Sequence, residues 1–202
     1  MRNIFIILLT FILAFPSNVF AGNEKSILAG GCFWCLEHDL ESIPGVISVE
    51  SGYTGGDIIN PTYQNHKGHQ EAVLVTFDNN EISFKKLLRS YWRNIDPLDD
   101  AGQFCDRGES YIPVIFAIDD KQFKQAIDSF DYAADELDRE SLDIKVQIKK
   151  AGRFWPAEEY HQDFALKNKL RYKFYRTSCG RDKRLMNVWG DRMKSDLDWL
   201  VE

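Results

Sequence analysis

The sequence predicts an α+β domain, a two-layer α/β sandwich in which helices pack on a mixed sheet. Three observations carry this. Short runs of β-branched or alternating character are interleaved with runs whose apolar residues recur every three or four positions. The spacing between these runs is uneven, with two long polar loops and no internal repeat, which excludes a solenoid or propeller. The 202 residues are enough to bury one hydrophobic core without help from disulfides.

The elements follow in order. Ser26 to Ala29 reads as a short buried strand entering Gly30-Gly31, and from Cys32 onward Phe33, Leu36, Leu40 and Ile43 fall at helical spacing until Pro44-Gly45. Cys32 therefore stands at a helix N-terminus. Val46 to Tyr53 has strand composition, Gly55 to Gly68 is a polar loop containing Asn60-Pro61, and Glu71 to Asp78 alternates as a second strand. Ile82 and Ser83 form a hydrophobic staple and N-cap for a helix carrying Leu87, Leu88, Tyr91, Trp92 and Ile95, ended by Asp96-Pro97. The irregular segment Leu98 to Ser110 leads to a strand at Ile112 to Ile118, an amphipathic helix from Asp120 to Glu140 and a strand from Asp143 to Lys149. Helices near Ala157 to Asn168 and Leu185 to Leu200 complete the chain, and Thr177-Ser178-Cys179-Gly180 reads as a flexible polar stretch.

The first 21 residues differ from the rest. Arg2 is their only charge, Ile4 to Phe15 is apolar except for Thr10, and Pro16 and Val19-Phe20-Ala21 follow. Twelve residues make about 18 Å of helix, short of a hydrocarbon core of roughly 30 Å, so a signal peptide cleaved after Ala21 is expected rather than a membrane anchor. Residues 22–202 are expected to form a single domain with an extended C-terminal tail, exported to the periplasm or secreted. Without the leader, 24 basic and 31 acidic residues leave a formal charge of −7, which argues against nucleic acid as a partner.

Export would place Cys32, Cys35, Cys105 and Cys179 in an oxidising compartment, where an even count of cysteines commonly means structural disulfides. The setting of Cys32 argues for chemistry instead. Gly30-Gly31 allows a sharp turn, and the unpaired N–H groups of a helix start favour the thiolate, which is the nucleophile. Cys35 lies three residues on, on the same helical face, where a disulfide with Cys32 would close almost no loop and constrain the unfolded chain little. A zinc site would need two further ligands, and neither the remaining cysteines nor His38, His66, His69 and His161 have the spacing for one.

Gly31-Cys32-Phe33-Trp34 with Glu37, Gly52-Tyr53-Thr54-Gly55-Gly56, Asn60-Pro61-Thr62-Tyr63, Gly68-His69-Gln70-Glu71-Ala72 and Asp106-Arg107-Gly108 with Tyr111 occur in this order. Together they resemble the pattern of the A-type peptide methionine sulfoxide reductases over Ser26 to Gln162. The resemblance implies reduction of free and protein-bound methionine S-sulfoxide, with Cys32 as nucleophile and Glu71 as general acid. It also implies Tyr63 and Tyr111 as donors around the sulfoxide oxygen with Asp106 nearby, and Phe33 and Trp34 as the pocket for the substrate methyl group. The chemistry agrees, because a sulfoxide sulfur becomes electrophilic once its oxygen is protonated or strongly hydrogen-bonded, and a desolvated carboxyl keeps its proton near neutral pH. Tyr53 and Gly55-Gly56 read as structural.

Many members of that family lack a cysteine at the position of Cys35 and recycle through a C-terminal tail. Cys35 and Cys179 both stand as candidates for the resolving thiol, and Cys105 is expected to be a free structural thiol. No metal, flavin or nucleotide motif is present, so no cofactor is expected. Electrons are expected from a thioredoxin-like dithiol, acting on a monomer. Two rival readings are a thiol–disulfide oxidoreductase using Cys32 and Cys35, which would ordinarily carry Pro or His between them rather than Phe33-Trp34, and a non-enzymatic module that grips methionine-containing peptides.

Overall fold

The computed structural model describes residues 22–200; the segment read as a signal peptide, 1–21, lies outside the described residues. The elements are β1 (Asn23–Ala29), α1 (Phe33–Glu41), β2 (Val46–Thr54), β3 (Gln70–Asp78), α2 (Phe84–Trp92), β4 (Gly102–Gln103), β5 (Asp106–Arg107), β6 (Val114–Ala117), α3 (Asp120–Glu136), β7 (Gln147–Lys150), β8 (Trp155–Pro156), α4 (Phe164–Lys167), α5 (Lys169–Cys179) and α6 (Arg181–Trp189). Six strands form one sheet in the order β7-β6-β1-β3-β2-β8, with β6–β7 parallel and every other pair antiparallel; β4 and β5 form a separate small hairpin. The fold is therefore α+β on a mixed sheet.

Side-chain alternation along the strands separates two faces. Leu28, Val73, Val75, Phe77 and Ile115 join the main core with residues of α1, α2, α3 and α6. Ile27, Ala29, Ala72, Val114 and Phe116 point the other way, into a smaller cluster covered by Ile112, Ala151 and Phe154. The α2 helix starts as its sequence indicates, with Ser83 Oγ accepting from Lys86 N at 3.3 Å, and Asp119 caps α3 by accepting from Gln122 N at 2.7 Å.

The C-terminal third departs from the expectation. In place of a helix over 157–168 there is a 3-10 turn at Glu159–His161 and the four-residue α4, following the two-residue β8. Gln162 pairs with the edge of β2: its side-chain oxygen accepts from Ser51 N and its amide donates to Ser51 O, both at 2.9 Å, and Asp163 turns left-handed at φ 54°. Satisfying the backbone of an exposed sheet edge outweighs the local helical pattern here. The α5 helix is absent from the sequence reading because it has no apolar stripe: Tyr172 and Arg176 are its buried residues, while Leu170 and Phe174 face solvent. Cys179, expected in a flexible stretch, instead ends α5, and Gly180 caps it at φ 69°. The last helix stops at Trp189 because Gly190 takes φ 56°, and the chain beyond it docks through Arg93, which donates to Leu197 O at 2.5 Å and lies over the Trp199 ring.

Candidate active site

Cys32 is the N-cap residue of α1, held at the end of β1 by the Gly30-Gly31 turn. Gly31 has φ +84°, and a Cβ there would stand 2.6 Å from Gln103 Cβ, so both backbone conformation and crowding require glycine. Glu71 is the second residue of β3, directly opposite Tyr53 of β2. Its carboxylate oxygen accepts from Phe33 N at 3.1 Å, so the acid caps the helix that carries the nucleophile. Cys32, Phe33, Trp34, Tyr63, Glu71, Asp106, Tyr111 and Tyr175 line one cavity of about 50 Å³. A larger hollow of about 770 Å³ between Asp131 and Asp143 holds no cysteine and no aromatic wall, so chemistry rather than size identifies the site.

Burial sets the protonation states. Glu71 is 2% exposed, and desolvation pushes its pKa up to about 8 against the opposing pull of the Phe33 N–H; the Asp106 carboxylate adds to the rise. The Cys32 thiol is also raised well above its ordinary value, by burial first and then by Cys35 and Glu71. The helix start favours the thiolate, but Cys32 is 6% exposed, and the loss of water acts in the opposite direction and holds the proton on the sulfur. Cys35 moves the other way, to about 7, through its hydrogen bond with Cys32 and the nearby guanidinium groups of Arg181 and Arg176. Those arginines lie beneath α1, Arg181 donating to Asn94 O at 2.7 Å and Arg176 pairing with Asp39 at 3.0 Å.

Several residues of the site carried no signal in the sequence. His161 Nδ1 accepts from Trp34 Nε1 at 3.0 Å, and the Trp34 ring stacks on Phe164 at 3.7 Å between centroids. Burial lowers the His161 pKa, keeping the imidazole neutral as an acceptor needs to be. Glu158 accepts from the Tyr53 hydroxyl at 3.1 Å and from Tyr63 N at 3.0 Å, which ties the 55–68 loop to the chain after β8. Tyr175 of α5 donates to Asp106 Oδ2 at 2.6 Å. It could have been found only by recognising α5 as a helix.

Cys105 is bonded to Cys179 across 74 residues, which corrects the reading of Cys105 as a free thiol; Cys32 and Cys35 are free and buried. The pairing depends on α5 lying beside the β4–β5 hairpin, a contact with no local sequence signature. Among the described residues, the one group spaced to hold a metal is Cys105, Asp106 and Cys179, whose two sulfurs are joined to each other.

Residues 24–193 match the family model described as peptide methionine sulfoxide reductase. The chain is 52% identical over 179 residues to peptide methionine sulfoxide reductase MsrA 2 of Caulobacter vibrioides, covering 87% of this chain and 90% of the relative. Among solved structures it is similar to methionine sulfoxide reductase A of Corynebacterium diphtheriae, with TM-score 0.68 and 28% identity over 74% of this chain and 76% of that one. A Saccharomyces cerevisiae Mxr1 solved in complex with Trx2 shares the fold at TM-score 0.52 and 20% identity, covering 71% of this chain and 85% of that one.

Proposed function

The chain belongs to the peptide methionine sulfoxide reductase family, and we propose that it works through Cys32 as nucleophile, Glu71 as general acid and Cys35 as the first resolving thiol. It is a peptide-methionine (S)-S-oxide reductase that returns free and protein-bound methionine sulfoxide to methionine. The observation that supports these roles is one small cavity lined by a thiol, a protonated carboxyl and three phenol hydroxyls beside an aromatic wall.

Cys32 attacks the sulfoxide sulfur while Glu71 gives its proton to the oxygen, with Tyr63 and Tyr111 donating to that oxygen and Phe33 and Trp34 packing against the methyl group. The oxygen then passes from the methionine sulfur to the Cys32 sulfur as the bond between the two sulfurs breaks, so methionine leaves and Cys32 is left as a sulfenic acid. The Cys35 thiol then attacks the Cys32 sulfur, forming the disulfide and releasing water. The guanidinium groups of Arg181 and Arg176 near Cys35 favour its ionised form for that attack. Cys179 is already bonded to Cys105, which supports Cys35 over Cys179. A thioredoxin-like dithiol restores the pair, in keeping with the Trx2 complex of the yeast neighbour. The enzyme acts as an exported monomer, a reading supported by the leader-like first 21 residues for export.

The test is a reductase assay on separated S and R epimers of methionine sulfoxide, followed by alkylation and digestion after one equivalent of substrate. Turnover of the S epimer alone and a trapped Cys32–Cys35 bond are expected. Equal rates on both epimers would overturn the whole assignment, and a Cys32–Cys179 bond with Cys35 alkylated would overturn Cys35 as resolver.

A further inference from the structure

For Cys32 to attack, its thiol proton must leave; Glu71, which gives its own proton to the sulfoxide oxygen, is not the acceptor, and Cys35, hydrogen-bonded to Cys32, accepts it only when ionised. The groups facing Cys32 are Cys35 from α1, Glu71 from β3, Asp106 from the β4–β5 hairpin, Tyr175 from α5, Tyr63 from the 55–68 loop and Tyr111 from the 3-10 turn Glu109–Tyr111. Asp106 is half-buried and Tyr175 stands between it and the thiol. The Tyr175 hydroxyl donates to Asp106 Oδ2 at 2.6 Å and lies in hydrogen-bond reach of the Cys32 sulfur, and its ring meets the Trp34 ring edge-to-face at 5.9 Å between centroids. Both ends of this line are covalently tied: Cys179, one helical turn after Tyr175, is bonded to Cys105, the residue before Asp106.

We propose that Tyr175 is a further catalytic residue of this reaction, a hydroxyl that relays the Cys32 proton to Asp106, and that the Cys105–Cys179 bond keeps the relay aligned. The inference rests on Cys32 being the nucleophile. In the step, the Cys32 proton passes to the Tyr175 oxygen as the Tyr175 proton passes to Asp106. The phenol remains neutral, as its buried position requires. Asp106 then returns the proton to water, and Glu71, after giving its own to the sulfoxide oxygen, recovers one from water, so protons balance over the cycle.

Tyr175→Phe, Asp106→Asn and the double variant, each checked for intact fold by near-UV circular dichroism, are compared in single-turnover methionine release. Each single variant should be slower by about 10²-fold with little change in the sulfoxide concentration that half-saturates the step. The double variant should be no slower than the slower single, because the two groups act as one unit. In a Cys35→Ser background, the pH at which Cys32 is alkylated should rise on Tyr175→Phe. Unchanged release and alkylation profiles, or multiplicative losses in the double variant, would overturn the relay. If Tyr175→Phe does not fold, fluorotyrosine at position 175 keeps the hydroxyl while changing its acidity, and an unaltered rate there overturns the proposal equally. Unchanged Tyr175→Phe kinetics beside an inactive Cys32→Ser enzyme would remove the relay alone; an active Cys32→Ser enzyme would remove the underlying assignment of the nucleophile.

Discussion

Replacing Glu71 by Gln separates the chemical value of its proton from the energetic cost of burying the acid. At pH 7 a carboxyl with pKa about 8 is protonated in about nine-tenths of molecules, against about 0.3% at its ordinary value of 4.5. Burial thus enriches the donor form about 300-fold. The fold carries a cost in return. An acid whose folded pKa is raised binds its proton more tightly in the native than in the unfolded chain, so its contribution is harmless below pH 4.5 and lowers stability as pH rises from 4.5 to 8. At pH 7 the loss amounts to about 3 kcal/mol, from 1.36 kcal/mol per pH unit. Gln keeps the carbonyl that accepts from Phe33 N but cannot ionise or donate as an acid. Glu71→Gln should therefore slow single-turnover methionine release by about 10² to 10⁴-fold while making the protein more stable than wild type to urea at pH 7, with the advantage vanishing near pH 4. Rapid-quench kinetics and urea titrations at both pH values read the two effects. An unchanged rate, or a variant less stable at pH 7, would refute the picture of a buried, protonated acid. In wild type the acid-dependent step should slow as pH rises through about 8.

Cys32→Ser should abolish turnover while leaving near-UV circular dichroism intact, since a hydroxyl does not replace a thiolate near neutral pH; appreciable residual turnover would remove Cys32 from its role. Cys35→Ser should still release one methionine per enzyme but lose most thioredoxin-dependent turnover, and Cys179→Ser should leave the Cys32–Cys35 disulfide able to form, as read by mass spectrometry. Replacing both Cys105 and Cys179 by Ala removes a crosslink spanning 74 residues and should lower unfolding stability by about 4 kcal/mol in denaturant titrations.

The five longer strands, α1, α2 and α3, and the meeting of a nucleophile with a helix start, were legible in the sequence because each rests on local physics: side-chain alternation, apolar recurrence, Ser83 as a cap, and a double glycine before Cys32, whereas the two-residue strands β4, β5 and β8 carry no such pattern. The resemblance to known reductases came from ordered short motifs that these same elements carry. What the chain segments decide only together is different in kind. The residues that hold the pocket come from distant stretches: His161 lies 127 positions from Trp34, and Tyr175 lies 69 positions from Asp106. The helix α5 exists because it packs Tyr172 and Arg176 inward, against the grain of its exposed Leu170 and Phe174, and its placement in turn pairs Cys179 with Cys105. Protonation follows the same rule. A helix N-terminus read in isolation lowers a thiol's pKa, but desolvation is set by everything that packs around the sulfur, so the folded site raises the pKa of both Cys32 and Glu71. Local sequence determined which groups were present and which elements bore them. Tertiary packing decided their partners and their charge, because both depend on the exclusion of water by segments far apart in the chain.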